Sequence, residues 1–64
     1  MPWDAAYYPA SMNHLPPIVR DKAIEIANAL LREGHDEGMA IRVGIAKAKE
    51  WATHHSQDQA ELYR

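Results

Sequence analysis

The segment MAIRVGIAKAKEWA, residues 39–52, reads as a helix with apolar side chains around most of its circumference. At about 100° per residue, one line along this helix holds Ala40, Gly44, Ala48 and Trp51. Ile41 and Ile45 flank the line on one side, and Val43 flanks it on the other. A single neighbouring helix cannot bury so wide an apolar sector. The chain must therefore provide a second cover, or another molecule must.

An apolar periodicity upstream predicts a first helix over residues 17–33. Pro17 suits the first helical turn, where its missing N–H would be unpaired in any case, and Gly34 suits the position after the last turn. The predicted apolar stripe comprises Val19, Ala23, Ile26, Ala27, Leu30 and Leu31. The predicted wet face comprises Asp21, Glu25, Asn28 and Arg32. The second helix is predicted over residues 36–54, with Asp36 as its N-cap.

Gly44 is explained by the way in which these two helices are expected to meet. A glycine inside a helix costs about 1 kcal/mol relative to alanine. Small residues, however, allow two helix backbones to approach closely. The first helix offers Ala23 and Ala27 for such an approach, so we expect Gly44 to lie against them.

The segment before the first helix is predicted to be an ordered arm, residues 1–16. Residues 1–17 carry all four prolines of the chain and three of its five aromatic side chains, namely Trp3, Tyr7 and Tyr8. Proline restricts the backbone to extended or irregular conformations, whereas the aromatic content is too high for a disordered tail. We predict that the arm lies across the helices and that Trp3 and Trp51 belong to the core.

Together the segments predict an all-α fold in a single domain, residues 1–64: a two-helix hairpin clasped by the N-terminal arm. For the tail, residues 55–64, a short additional helical turn is considered, with Leu62 and Tyr63 as its sizeable apolar groups. A chain of 64 residues usually needs a disulfide, a metal, oligomerisation or tight helix packing for stability. Because cysteine is absent, a disulfide is excluded.

The residues just described resemble a family of short bacterial proteins, the YdaT type. The resemblance rests on MPW at the start, YP at 8–9, LPPIVRDKAIEIANALL at 15–31, EG at 33–34, EGMAI at 37–41 and AKEWA at 48–52. It covers roughly residues 1–53 and implies a small helical module with no established activity, which a second small domain follows in some relatives. A weaker likeness is to ChaB-type proteins, described as regulators of cation transport, through LP before one helix and A…K in the next.

No motif of the sequence predicts catalysis or metal binding. The four histidines lack the H-x-x-x-H spacing, and the adjacent His54 and His55 would point about 100° apart on a helix. The loop REGHDEG, residues 32–38, lacks the oxygen-ligand spacing of a calcium loop. The hydroxyl side chains lack a strand–turn–helix context, and a Gly-rich phosphate loop is absent. We expect no enzyme activity, no catalytic or metal-binding residue and no cofactor.

The preferred function is a non-enzymatic protein-interaction or regulatory module. Its candidate partner-binding strip is Tyr7, Tyr8, Ile41 and Ile45, which combines aromatic groups of a type enriched at interfaces with the isoleucines that flank the buried line. The partner is either another protein or a second copy in a homodimer. The alternatives are a self-associating structural protein and a helix–turn–helix-like DNA-binding module. Seven basic against nine acidic residues and a net charge of −2 disfavour nucleic acid as a partner.

The sequence also favours a cytoplasmic protein without membrane contact. No apolar run approaches the roughly 18 residues needed to span a bilayer. Residues 1–17 lack the basic and apolar regions of a signal peptide. Absence of cysteine agrees with a reducing compartment.

Overall fold

The computed structural model describes the backbone of residues 2–62 and the side chains of residues 2–54. The fold is all-α, as predicted, and its elements in chain order are a 3-10 helix (Ala10–Met12), helix α1 (Pro17–Arg32) and helix α2 (Glu37–Leu62). Helices α1 and α2 pack against each other as a hairpin. The arm that precedes α1 lies against this hairpin and contributes to its core.

The turn between the helices follows the predicted end signals. Gly34 has a φ of 100°, which is unfavourable for a residue that carries a Cβ. Its N–H donates to the carbonyl oxygen of Leu31 at 3.0 Å, which closes the last turn of α1. At the start of α2, Asp36 Oδ1 accepts a hydrogen bond of 2.9 Å from the N–H of Met39. Both the C-terminal glycine and the N-cap are therefore confirmed.

Asp36→Ala is expected to lower the free energy of unfolding by about 1 kcal/mol, because the variant leaves an N-terminal N–H of α2 without its acceptor. Asp36→Asn keeps an oxygen acceptor at the same place and is the matched control, with most of the stability retained. Urea denaturation followed by far-ultraviolet circular dichroism measures both variants. Equal unfolding midpoints for the alanine variant and the native chain would refute the role of this cap.

The two helices approach each other along a line of small residues. Ala40, Gly44 and Ala48 of α2 are buried, as are Ala23 and Ala27 of α1. A Cβ placed on Gly44 would lie 3.0 Å from the Ala23 carbonyl oxygen and 3.2 Å from the Ala27 Cβ. The predicted contact of Gly44 is thus confirmed, because the backbone of α1 occupies the space that a side chain would need.

The arm lies on one face of the hairpin and is fastened there by two side chains of α1. Asn28 Nδ2 donates a hydrogen bond of 2.9 Å to the Trp3 carbonyl oxygen. The Arg20 guanidinium lies 4.7 Å from the centroid of the Tyr8 ring, within the range of a cation–π contact. Between these two points on the same face of α1 lies the buried Ile24. The arm therefore runs antiparallel to α1, with Trp3 near the C-terminal end of that helix.

The arm supplies the large side chains of the core. Trp3 is 7% exposed, and Met12 and Leu15 are also buried. They form one cluster with Ile24 and the buried alanines of the two helices. The prediction that Trp3 belongs to the core is confirmed. Trp51 is only partly buried, because it stands at the edge of the hairpin beside Lys22 and Ile18.

The arm also corrects two predictions about α1. Asn28, predicted on the wet face, is 4% exposed, and Ile24 is buried although it lies outside the predicted stripe. Both face the arm, which widens the buried surface of α1 beyond the stripe that α2 covers. The buried amide is tolerated because its Nδ2 has a hydrogen-bond partner, whereas Oδ1 accepts none from the described residues.

The predicted segment boundaries differ from the observed ones in three places. Helix α1 ends at Arg32 and α2 begins at Glu37, one residue inside each predicted limit. Helix α2 continues to Leu62 rather than ending at residue 54, because no glycine or proline interrupts residues 45–62. The arm is not extended throughout, since it contains a turn at Asp4 and a 3-10 turn. Tyr63 lies outside the described residues.

Helix α2 is much longer than its partner. Its 26 residues span about 39 Å, and the 16 residues of α1 span about 24 Å. The described residues include no helix that has both the length and the apolar character needed to cross a bilayer.

Candidate interaction surface

The four residues of the predicted partner-binding strip lie in different environments. Tyr7 is 71% exposed, whereas Tyr8 is partly buried beneath the Arg20 guanidinium. Ile41 and Ile45 are partly buried and pack against the core cluster. Of the four side chains, only that of Tyr7 stands largely in solvent.

The arm presents Tyr7 from a turn that Asp4 builds. The main chains of Asp4 and Tyr7 exchange two hydrogen bonds, of 2.8 and 3.2 Å. Asp4 Oδ1 also accepts from the N–H of Ala6 at 2.9 Å and from the N–H of Tyr7 at 2.8 Å. An aspartate that bonds the backbone after it in this way stabilises a turn. The Tyr7 ring therefore projects from an ordered backbone.

A helical hairpin has two faces, and the arm covers one of them. On α1, Asn28 and Arg20 point to the arm, while Lys22 and Ile26 lie on the other side of the line that contacts α2. The side away from the arm is called the open face, and it comprises Ile18, Lys22, Glu25 and Ile26 of α1 and Val43, Lys47, Glu50 and Trp51 of α2. By the same helical count, the strip residues Ile41 and Ile45 lie on the arm side.

The open face has an apolar centre and a charged edge. Ile18 is 69% exposed, and Val43 and Trp51 are partly exposed, whereas Ile26 is partly buried against the core cluster. A shallow depression of about 350 Å³ is lined by Ile18, Asp21, Lys22, Glu25 and Trp51. Such a mixture suits contact with another macromolecular surface, in which an apolar centre is surrounded by polar groups.

Lys22 connects the charged and aromatic parts of this depression. Its Nζ lies 2.7 Å from Glu25 Oε1 and 5.2 Å from the centroid of the Trp51 ring. The ion pair is solvent-accessible and contributes little to stability. The sequence itself fixes the order of these charges along α1, with the positive Lys22 before the negative Glu25.

Sequence reasoning missed Ile18 as a surface residue of interest. Ile18 lies outside the apolar stripe and shares a face at spacings of three, four and seven residues with Asp21, Lys22 and Glu25. A single branched aliphatic residue among charged residues on one helix face is the signal that could have identified it. The prediction that Trp51 belongs to the core is wrong, because Trp51 lies at the end of the buried line, where it is partly exposed and outside the core cluster.

The packing of the helices bears on the DNA-binding alternative. Gly44 lies against Ala27, and seven residues later Trp51 lies beside Lys22. Residues nearer the C-terminus of α2 therefore contact residues nearer the N-terminus of α1, so the helices run side by side and antiparallel. A helix–turn–helix instead crosses its helices at about 90–120°. The observed alignment gives no support to that alternative.

Comparison with known proteins bears on the family. Over 61 residues the chain is 51% identical to the uncharacterised protein YdaT of Bacillus subtilis (strain 168). The match covers 95% of this chain and 41% of that protein, so the chain spans less than half the length of this relative. No family model matches the chain, and no solved structure matches it. The likeness to ChaB-type proteins stays a prediction. The resemblance predicted from the sequence is confirmed over these 61 residues, in which the chain is similar to the YdaT protein.

Proposed function

We propose that the protein is a small non-enzymatic protein-interaction module of the cytoplasm, and that it binds its partner through the open face. The observation that carries the proposal is the exposure of Ile18 beside the partly exposed Trp51 on an ordered pair of helices. Large apolar groups that adjoin one another on the surface of a small protein commonly mark a site of interaction.

The close packing of the two helices supports this assignment. The backbone contact at Gly44 fixes the two helices relative to each other, so the open face exists before a partner arrives. A surface that is already in its bound form loses little conformational entropy on association. Tryptophan is among the residues that most often dominate the free energy of binding, which makes Trp51 the expected centre of the contact.

Site-specific photo-crosslinking in the native cells tests the proposal. A photoreactive phenylalanine analogue at Ile18 or Lys47, on the open face, should give a defined protein-linked product. The same group at Lys49, which is exposed on the outer side of α2, is the matched control and should give none. The analogue at Tyr7 examines the predicted strip in the same experiment.

The pattern of products decides between the surfaces. Products from Ile18 and Lys47 alone support the open face. A product from Tyr7 alone would transfer the interaction to the arm, and the absence of any protein product at all three positions would reject the proposed function.

A further inference from the structure

We infer that the open face binds the open face of a second copy, which gives a symmetric antiparallel four-helix dimer. This inference rests on the proposed function, because it names the partner of the same face. A symmetric dimer uses one patch on both subunits, so the patch must be complementary to itself. The charges and the apolar groups of the open face meet this requirement.

The order of charges along the two helices is self-complementary. Besides Asp21, at the outer edge of the depression, the open face presents Lys22 and then Glu25 along α1, and it presents Lys47 and then Glu50 along α2. Each pair is separated by three residues, nearly one helical turn. When α1 of one copy lies antiparallel to α2 of the other, Lys22 meets Glu50 of the partner subunit. In the same arrangement Glu25, at the outer edge of the open face, lies at the level of the partner subunit's Lys47.

One two-fold axis produces this arrangement. An axis that runs along the hairpin, between α1 and α2, places α1 of each copy over α2 of the other without any shift along the helices. Residues that lie level along the helix axes within one hairpin are therefore also level across the dimer. Within the hairpin, Trp51 lies beside Ile18 and Lys22. Ile18 of each copy therefore lies at the height of Trp51 of the partner subunit. The exposed Ile18 side chain is then covered by the partly exposed indole.

The energetic need for such a cover follows from the size of the chain. A domain of this length has room for only a small core and commonly gains stability from oligomerisation. The arm covers one face of the hairpin. A second copy on the open face covers the other, so both faces of the hairpin are then packed against protein. Opposite charges at the rim add specificity to this apolar contact.

Charge reversal tests the pairing of Glu25 with the partner subunit's Lys47. Lys47→Glu places two carboxylates together at both symmetric contacts, and Glu25→Lys places two ammonium groups together. Each variant should raise the dissociation constant of the dimer by at least about tenfold, which corresponds to about 1.4 kcal/mol. Lys49→Glu makes the same change of charge on the outer side of α2 and should leave the dissociation constant unchanged. Sedimentation equilibrium at micromolar concentrations measures all of them.

Mixing the two variants gives the decisive result. A heterodimer of the Lys47→Glu chain with the Glu25→Lys chain has one native and one reversed attractive contact, so the mixture should regain dimers that neither variant forms alone. Circular dichroism of each variant verifies that it is folded. Recovery on mixing supports the inference. It is overturned if the native chain is a monomer, or if Lys47→Glu and Lys49→Glu have equal effects.

The two proposals fail in different ways. A native chain that sediments as a monomer, while Ile18 crosslinks to a protein of a different mass, overturns the dimer and keeps the interaction module. A monomer without any crosslinked product overturns both.

Discussion

Trp3→Ala is expected to lower the free energy of unfolding by about 3–5 kcal/mol, the range found when a buried aromatic side chain is removed. Trp3 is a buried member of the core cluster, so its truncation leaves a cavity between the arm and the helices. A domain of 64 residues has a total stability of roughly 3–10 kcal/mol. The substitution therefore removes a large part of the stability or unfolds the protein. Chemical denaturation at one fixed protein concentration measures the loss.

Tyr7→Ala is the matched control for Trp3→Ala. Tyr7 belongs to the same arm, but its side chain is exposed and its turn is held by main-chain groups and Asp4. Its truncation should change the free energy of unfolding by no more than about 0.5 kcal/mol. If Trp3→Ala were as stable as Tyr7→Ala, the arm would not be part of the core.

Gly44→Leu is expected to cost about 3 kcal/mol, at the upper end of the usual range for overpacking. The atoms that a new side chain would meet include the Ala23 carbonyl oxygen and the Ala27 nitrogen, at 3.0 and 3.2 Å from its Cβ. These are backbone atoms of a helix and cannot rotate away, so the two helices would have to separate. Thermal or urea unfolding measures the effect, and a leucine variant more stable than the native chain would disprove the close contact.

Alanine substitutions at two glycines separate packing from helix propensity. Gly44→Ala should gain little, because the roughly 1 kcal/mol of propensity is offset by the short contacts with α1. Gly38 lies in the first turn of α2, and its Cβ would meet only Asp36 Oδ1 at 3.4 Å. Gly38→Ala should therefore be stabilising by about 0.4–1 kcal/mol. A similar gain at both positions would mean that Gly44 is not confined by α1.

The candidate surface was only partly predictable from the sequence. The wide apolar sector of α2 indicated that one neighbouring helix could not bury all of it. In the structure α1 does leave part of that sector uncovered. The width of the sector could not indicate which flank the arm would cover. Because the arm lies on the side of Asn28 and Ile24, the flank with Ile41 and Ile45 packs against the core, and the flank with Val43 and Trp51 forms the open face. The prediction of Ile41 and Ile45 as a binding strip depended on the arm leaving these two side chains uncovered.

By itself the sequence determined the features that depend on neighbouring residues. Pro17, Gly34 and Asp36 act on the backbone within a turn of their own positions, so the places where α1 begins and ends and where α2 starts were predictable. The small residues around Gly44 repeat with the helical period, which was enough to predict the close contact with Ala23 and Ala27. These interactions are local or follow from a repeated pattern on one helix.

Only the tertiary structure decided which polar residue enters the core and which apolar residues stay outside it. Asn28 is buried because its amide donates a hydrogen bond to the Trp3 carbonyl oxygen, 25 positions away in the chain. No pattern among neighbouring residues predicts that contact. Ile18 and Trp51 remain at the surface because the arm approaches from the opposite face. Periodicity reports which side of a helix is apolar, whereas the choice among apolar sides depends on where a distant segment packs, and that choice is made by the fold as a whole.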